Sequence, residues 1–236
     1  KINTFQNVNE RFPSLLSRIC KECGVKQFIH MSSLGVEESS AVSYYAKSKL
    51  NGEEEIKKNF KEATILKPSV VYSVDDDFTC KFMSLLNKIP FVFPIYYNGK
   101  TLFRPIHVSD LSEIILKIIS EKIKNTTIEC VGAEEISLKN LLKKLLILIK
   151  KEKILLPIPL WLAKLIAQFF ELMPKPIFTL DQLRLLKFNN IPSGKYKTNF
   201  DMGMPAKKNF DLELKKYSWM YSDGGQFSQE KYNKNN

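Results

Sequence analysis

The chain has 236 residues, 44% of them hydrophobic, which is enough for a buried core in one large or two small domains. This composition excludes a fibrous, collagen-like or wholly disordered protein. The formal net charge of +11 favours an anionic neighbour: nucleic acid, an acidic membrane or a phosphorylated cofactor. Only four of the 36 basic residues are arginine, the side chain on which sequence-specific base reading depends, so DNA recognition is not favoured.

Helical and strand patterns alternate through the first part of the chain. In chain order, the predicted elements are a helix over 13–23, a strand over 25–31, a helix over 43–60 and a strand over 63–72. Pro13 and Gly24 are the start and stop signals of the first helix. This alternation predicts a parallel α/β sheet.

The pattern is less regular after the three aspartates at 75–77. The predicted elements there are a helix over 78–86, a hairpin or loop over 91–103, a helix over 109–123, a strand over 127–131, and helices over 137–151 and 179–187. An apolar stretch covers 154–173, and its part after Pro159 has fourteen residues, fewer than the ~20 that span a bilayer. We therefore predict no transmembrane helix.

Changes in these patterns divide the chain into three regions, 1–74, 75–190 and 191–236. Residues 191–236 form an irregular tail that ends in a disordered Gly/Gln/Lys/Asn stretch.

The cysteines and histidines give no metal motif. Cys20 and Cys23 have the spacing of a redox pair but lie in a helical pattern, so two packing cysteines in a reduced compartment are the alternative. His30 and His107 lie in apolar surroundings and are interpreted as core histidines. We predict no metal site.

A tyrosine and a lysine four residues apart are the first catalytic candidates. On a helix, Tyr45 and Lys49 share one face, and a nearby cation lowers the pKa of a phenol. About one tyrosine–lysine pair at this spacing is expected by chance. The sequence contains a second such pair, Tyr96 and Lys100, which straddles a turn. Ser33 follows a strand, where ligands of open α/β sheets bind, so it is placed near Tyr45. The alternative is an ordinary helix cap and a solvated lysine.

Several segments in order along the chain resemble an extended or atypical short-chain dehydrogenase/reductase. They are VNERFPSLLSRICKECGVKQFIHMSSLGV at 8–36, YAKSK at 45–49, ILKPSVVY at 65–72 and RPIHVSDLSEII at 104–115. The segments GEEEIKKNFKEATILKPSVVYSVDDDF at 52–78 and LPIPLWLAKLIAQFFELMPKPIFTLDQL at 156–183 are most similar to the nucleotide-binding accessory subunit of respiratory complex I and its bacterial relatives.

The resemblance implies roles for individual residues. Ser33 would polarise a substrate carbonyl, Tyr45 would exchange its proton, and Lys49 would lower the pKa of the tyrosine and hold the nicotinamide ribose. The implied cofactor is NAD or NADP, with NADPH slightly favoured. The residues implied to contact it are Ser32, Tyr45, Lys49, Pro68, Ser69, Val70 and Val71. Asn9 falls near a family asparagine close to the cofactor, although Phe12 replaces the usual small residue.

One family feature is absent from the sequence. The nine glycines form no GxGxxG, the turn whose amides hold the pyrophosphate. We therefore expect an N-terminally incomplete chain: a Rossmann-like parallel sheet whose first strands are missing, with a small C-terminal substrate-side subdomain. The resemblance implies that residues 1–74 are the C-terminal half of the NAD(P)-binding Rossmann domain. It also implies that residues 75–190 contribute late sheet elements and the small α/β substrate-side subdomain. The alternative is a short protein that uses the fold without nucleotide.

By resemblance, the function is that of an NAD(P)-binding protein of the complex I accessory-subunit type, in which the nucleotide is a structural ligand. One alternative is an active NAD(P)-dependent reductase, dehydrogenase or epimerase acting on a hydrophobic carbonyl or quinone-related substrate. Another is a membrane-surface module without nucleotide.

The expected partners are complex I subunits or a membrane surface, with no nucleic acid. The expected location is peripheral, at the cytoplasmic face of a bacterial inner membrane or the mitochondrial matrix side. Lys150, Lys151 and Lys153 precede the apolar stretch, which suits an amphipathic element at such a surface or a buried helix with a solvated lysine edge.

Overall fold

The computed structural model describes residues 4–172, 176 and 178–225. The α-helices are α1 (Phe12–Glu22), α2 (Val36–Ser39), α3 (Tyr44–Asn59), α4 (Thr79–Lys88), α5 (Val108–Ser120), α6 (Leu138–Leu148), α7 (Leu160–Glu171), α8 (Leu180–Leu185) and α9 (Phe210–Lys215). A π-helical turn at Asn7–Arg11 leads into α1, and 3-10 turns lie at Tyr97–Gly99 and Ser218–Tyr221. The strands are β1 (Ile29–Met31), β2 (Thr64–Pro68), β3 (Val71–Tyr72), β4 (Val92–Ile95), β5 (Leu102–Phe103), β6 (Ile106–His107), β7 (Thr126–Cys130), β8 (Ile136–Ser137), β9 (Ile154–Pro157) and β10 (Lys197–Thr198).

A four-stranded sheet in the order β1-β2-β7-β10 carries the site, and all neighbouring strands are parallel. All five residues of β2 are buried, as expected when helices cover both faces. Ile65 packs with Ile56 of α3 on one face, whereas Leu66 packs with Ile114 of α5 on the other. The predicted parallel α/β class is confirmed.

The π-helical turn packs closely on α3 because of one glycine. A Cβ at Gly52 would lie 2.0 Å from the backbone oxygen of Asn9, so any larger residue would push the turn away. The amide of buried Asn9 also donates to the hydroxyl of Ser48, over 3.1 Å. Asn9 therefore fixes the turn to the helix that carries Tyr45.

A second core lies beside this sheet. β4 pairs with β9 in parallel, and β5 pairs with β8 in antiparallel orientation. Buried side chains of α4 and α6, among them Leu86 and Leu145, pack here with Tyr72. Of the two alternatives predicted for 91–103, the hairpin is wrong, because β4 takes its partner from 154–157 instead of from β5.

The predicted irregular tail is wrong for part of 191–225. β10 extends the main sheet by pairing with β7, and Phe210 and Leu214 of α9 are buried in the second core. The apolar residues of this segment belong to short elements, so no hydrophobic periodicity was long enough to predict a helix or strand there. The Gly/Gln/Lys/Asn stretch beyond residue 225 lies outside the described residues.

The apolar stretch at 154–173 becomes the strand β9 and the helix α7, and its last residue, Met173, lies outside the described residues. Within the described part of the chain, no helix is long and apolar enough to cross a bilayer. The division of the chain at residues 74 and 190 stays a prediction.

Candidate functional site

Ser33 lies at the carboxyl edge of the main sheet. The hydrogen bonding of β1 with β2 continues past the strand end, because the amide of Ser32 donates to Leu66 over 2.7 Å and that of Leu34 to Pro68 over 2.9 Å. Gly35 then turns the chain with a φ of 74°, a conformation that suits glycine. The hydroxyl of Ser33 is thereby held beside the cavity described below.

Tyr45 is in the first turn of α3, and two side chains fix that turn. Ser43 is the N-cap, and its hydroxyl accepts the amide of Ala46. Asp181 of α8 receives the hydroxyl of Ser43 over 2.7 Å and the amide of Tyr44 over 2.9 Å. A carboxylate at a helix N-terminus also interacts favourably with the helix dipole. Sequence reasoning missed Asp181, because it lies more than 130 residues from the turn that it caps.

The structure brings Ser33 and Tyr45 together. Burial raises the pKa of Tyr45, and a hydrogen bond with Ser33 partly opposes this increase. The net direction contradicts the expectation that a cation would lower this pKa: desolvation of the phenolate outweighs the stabilising contacts. The phenol is therefore a proton donor at neutral pH.

Lys49 lies one turn further along α3. Its ammonium donates to the carbonyl oxygen of Met31 over 3.1 Å. Burial lowers the pKa of Lys49, and the charge of Glu53 opposes that effect. Met31 is the one hydrogen-bond acceptor of this ammonium among the described residues, so two of its protons remain for a ligand.

Ser32, predicted to contact the cofactor, lies in a different environment. It is buried, and its hydroxyl donates to Glu53. Glu53 also pairs with Lys67 of β2 over 2.9 Å, and Lys67 pairs with Glu37 over 2.8 Å. Burial raises the pKa of Glu37, but the hydrogen bonds from Lys67, Tyr196 and Lys195 outweigh it and hold the pKa at about 2.

The segment 68–71 connects the main sheet with β3. The amide of Ser69 donates to Cys130, and Val71 pairs with Ile106 of β6. The side chain of Asn190 accepts the hydroxyl of Ser69 over 2.5 Å and the amide of Val70 over 2.9 Å. Its own amide donates to Leu34 over 3.3 Å. Asn190 therefore links the two loops that carry the predicted site residues, and it was missed because no local motif marks it.

A cavity of about 300 Å³ adjoins this edge. Ser33, Tyr45 and Val70 line one side of it. Apolar walls come from Phe82 and Leu85 of α4, from Leu185 of α8 and from Leu186 just after it. The cavity thus combines a hydroxyl and a phenol with an apolar chamber, and the ammonium of Lys49 lies one helical turn from the phenol, an arrangement that suits carbonyl chemistry.

The remaining polar candidates lie apart from this arrangement. The Nε2 of His30 is buried without a hydrogen bond in the described structure, and burial, together with Lys49, lowers the pKa of His30 to about 4. His107 caps α5 through its Nδ1, which accepts the amide of Ser109. Cys23 is exposed, and Cys20 is partly buried. No three His, Cys, Asp or Glu residues in the described ranges are grouped as metal ligands.

The second tyrosine and lysine pair does not form a site. Tyr96 and Lys100 flank the 3-10 turn in which Asn98 has a φ of 55°, so they share no helical face. The ring of Tyr96 stacks on Phe178 at 5.1 Å, which is a packing role.

Residues 3–146 match the model of the RmlD substrate binding domain family. The chain belongs to this family. Sequence relatives include NADH dehydrogenase [ubiquinone] 1 alpha subcomplex subunit 9, mitochondrial, of Mus musculus, at 27% identity over 93% of this chain and 60% of the relative. The Arabidopsis thaliana protein of the same name is 25% identical over 80% of this chain and 50% of the relative. The chain thus spans three fifths or less of the length of these relatives.

Solved structures confirm the fold. A dTDP-glucose 4,6-dehydratase of Streptomyces venezuelae superposes with a TM-score of 0.61 at 14% identity, covering 90% of this chain and 65% of that one. A UDP-glucose 4-epimerase of Thermotoga maritima superposes with a TM-score of 0.62 at 16% identity, covering 95% and 70%. The predicted Rossmann-like class and the resemblance to short-chain dehydrogenases/reductases and complex I accessory subunits are confirmed.

Proposed function

We propose that this chain is part of an NAD(P)-binding protein of the complex I accessory-subunit type, in which the nucleotide is mainly a structural ligand. The observation that carries the proposal is the half-buried ammonium of Lys49, which has a single acceptor among the residues that the structure describes and lies one helical turn from Tyr45. The mitochondrial complex I subunits named above, similar over most of the chain, support it.

The residues present fit a nicotinamide nucleotide. Lys49 would donate to the ribose hydroxyls, and the segment Pro68, Ser69, Val70 and Val71 would provide the apolar edge for the nicotinamide ring. Two dTDP-glucose 4,6-dehydratases of the same fold, from Streptomyces venezuelae and Bacillus anthracis, have NAD bound, which supports this cofactor class. We favour NADP over NAD on the family resemblance.

A structural role for the nucleotide follows from where the chain segments meet. Asn190 bonds both the segment 33–35 and the segment 68–71, and Asp181 bonds the turn that carries Tyr45, so segments far apart in sequence meet at the carboxyl edge. A ligand that binds only the folded arrangement stabilises it by mass action. A bound nucleotide would therefore stabilise the folded arrangement of these segments.

An exposed apolar stripe supports association with a larger assembly. Ala163 and Ala167 of α7 pack on α8, whereas Trp161, Leu165 and Phe169 lie on the exposed side, each more than half exposed. Apolar surface of this kind marks protein or membrane contacts. We propose that it docks against complex I neighbours, with the protein peripheral on the mitochondrial matrix side or at the cytoplasmic face of a bacterial inner membrane.

The cavity next to Ser33 and Tyr45 favours a second candidate, an active carbonyl reductase. When bound, a reduced nicotinamide supplies a hydride to a carbonyl carbon. Tyr45 would donate its phenolic proton to the carbonyl oxygen and Ser33 would hydrogen-bond that oxygen, so the products are an alcohol and the oxidised nucleotide. Turnover that falls at least ~100-fold in Tyr45→Phe would favour this candidate over the structural role.

The test is nucleotide binding by the complete protein, measured by calorimetry with NADPH and NADH. Lys49→Met is expected to weaken binding by ~10-fold or more, because a charged hydrogen-bond donor contributes about 1.5–3 kcal/mol. Lys47→Met, at an exposed position of the same helix, is the matched control and leaves affinity unchanged. Equal affinity in both variants, or no binding by the unmodified protein, contradicts the proposal.

A further inference from the structure

The cavity beside Ser33 and Tyr45 is strongly apolar. Five of its lining residues are phenylalanines, contributed by α4, β5 and the segment around α8: Phe78, Phe82, Phe103, Phe178 and Phe188. The volume of about 300 Å³ is at the lower end of the range for small-molecule sites. The occupant must therefore be compact.

The amide side chains around the cavity are already used by the protein. The side-chain oxygens of Asn190, Asn189 and Gln182 accept the backbone amides of Val70, Leu102 and Thr179, respectively. These amide oxygens hold the backbone of the cavity walls in place and are not available as hydrogen-bond acceptors for a ligand. Ser39 also lines the cavity, but its hydroxyl donates to the carbonyl of Gly35, so the hydroxyl of Ser33 and the phenol of Tyr45 are the lining hydroxyls that remain for a ligand.

The charges at the cavity do not suit a diphosphate. Among the described residues that line the cavity, Lys81 of α4 is the single cation, and Asp77, just before the same helix, is the single anion. Phosphate groups are normally held by several cationic or amide donors. A nucleotide-sugar, the kind of compound named for the dehydratase and epimerase structures, would leave its charges unpaired against phenylalanine rings.

We propose that the cavity binds a compact, uncharged ring carbonyl compound, whose carbonyl oxygen accepts hydrogen bonds from Ser33 and Tyr45 and whose rings pack among the phenylalanines. The inference rests on the proposed function only in taking Ser33 and Tyr45 as the polar pair of the site. Binding itself requires no nucleotide, so the two proposals fail separately.

The test uses 2-tetralone, an uncharged bicyclic ketone, against tetralin, the same rings without the carbonyl, with calorimetry on the complete protein. Two hydrogen bonds of about 1 kcal/mol each predict ~10-fold or greater preference for the ketone. In the double variant Ser33→Ala and Tyr45→Phe, the preference is expected to fall below ~3-fold. UDP-glucose is expected not to compete.

A second test fills the cavity with a larger side chain. Leu85→Trp, inside the cavity, is expected to weaken 2-tetralone binding at least ~10-fold, whereas Leu116→Trp, on the exposed face of α5, leaves it unchanged. Val70→Phe, at another lining position, also fills the cavity and replaces Leu85→Trp should that variant not fold. Equal binding of ketone and hydrocarbon, an unaffected filled cavity, or tighter binding of UDP-glucose overturns the proposal. Ketone binding that persists in Lys49→Met separates this site from nucleotide binding.

Discussion

The contact between Asp181 and the N-terminus of α3 gives the sharpest stability prediction. Asp181 connects α8, which lines the cavity, with the turn that carries Tyr45. Its side chain is 16% exposed and accepts three hydrogen bonds, from the hydroxyl of Ser43, from the amide of Tyr44 and, at 3.4 Å, from the amide of Tyr45. Asp181→Ala removes all three and leaves two helix amides without this partner.

The expected magnitude follows from the two shorter contacts. Hydrogen bonds to a charged group contribute about 1.5–3 kcal/mol each, and partial exposure puts these at the lower end. The helix dipole adds about 0.3–1 kcal/mol. Asp181→Ala is therefore expected to lower the free energy of unfolding by ~3–4 kcal/mol, and Asp181→Asn by ~1–2 kcal/mol, because the amide keeps one acceptor.

Urea denaturation at pH 7 measures both values, with Asp223→Ala as the matched control. Asp223 pairs with Lys151 at 2.6 Å, but its side chain is 80% exposed, and such ion pairs contribute at most about 1 kcal/mol. A loss below ~0.5 kcal/mol for Asp181→Ala, or one no greater than that of the control, would refute the reasoning.

Two further substitutions and one pH dependence follow from packing and charge. Gly52→Ala gains helix propensity of about 0.5–1 kcal/mol but places a methyl group 2.0 Å from Asn9, so urea melts should show a net loss of ~2 kcal/mol. Lys67→Met leaves the buried carboxylate of Glu53 without its cation and should cost ~3–5 kcal/mol in the same assay. Glu37 has a pKa held below its usual value at about 2, so its contribution to stability is present above ~4.5 and lost as pH falls toward 2; acid titrations of Lys67→Met should show a smaller loss in that window.

Each of the two substitutions, Gly52→Ala and Lys67→Met, has its own control. Lys47→Ala, exposed on the same helix, should change stability by less than ~0.5 kcal/mol. Lys58→Met breaks only an exposed ion pair with Glu55 and should cost less than ~1 kcal/mol. If Gly52→Ala is neutral, the π-helical turn is not packed on α3 as described.

The sequence was sufficient for the features that local patterns encode. The strand end at Ser32 and Ser33, the helix that carries Tyr45 and Lys49, and the parallel sheet all follow from residue spacing over short windows. These elements predicted the chemistry of the site, because the carboxyl ends of parallel strands meet at one edge.

Long-range contacts could not be predicted in this way. Asp181 and Asn190 act on segments more than 100 residues away, and no local pattern distinguishes them from other polar residues near a helix. The pairing of β4 with β9 joins segments about sixty residues apart. The pKa of Tyr45 depends on burial, which emerges only when these segments are assembled.

Thermal unfolding of the complete protein with and without NADPH tests the central claim most directly. At a nucleotide concentration 100 times Kd, a structural ligand stabilises the folded state by about 2.7 kcal/mol. This gain is expected in the unmodified protein and in Tyr45→Phe alike. In Lys49→Met, a ~10-fold weaker affinity should reduce it to about 1.4 kcal/mol at the same nucleotide concentration. No gain in the unmodified protein, or an undiminished gain in Lys49→Met, would contradict the structural role of the nucleotide.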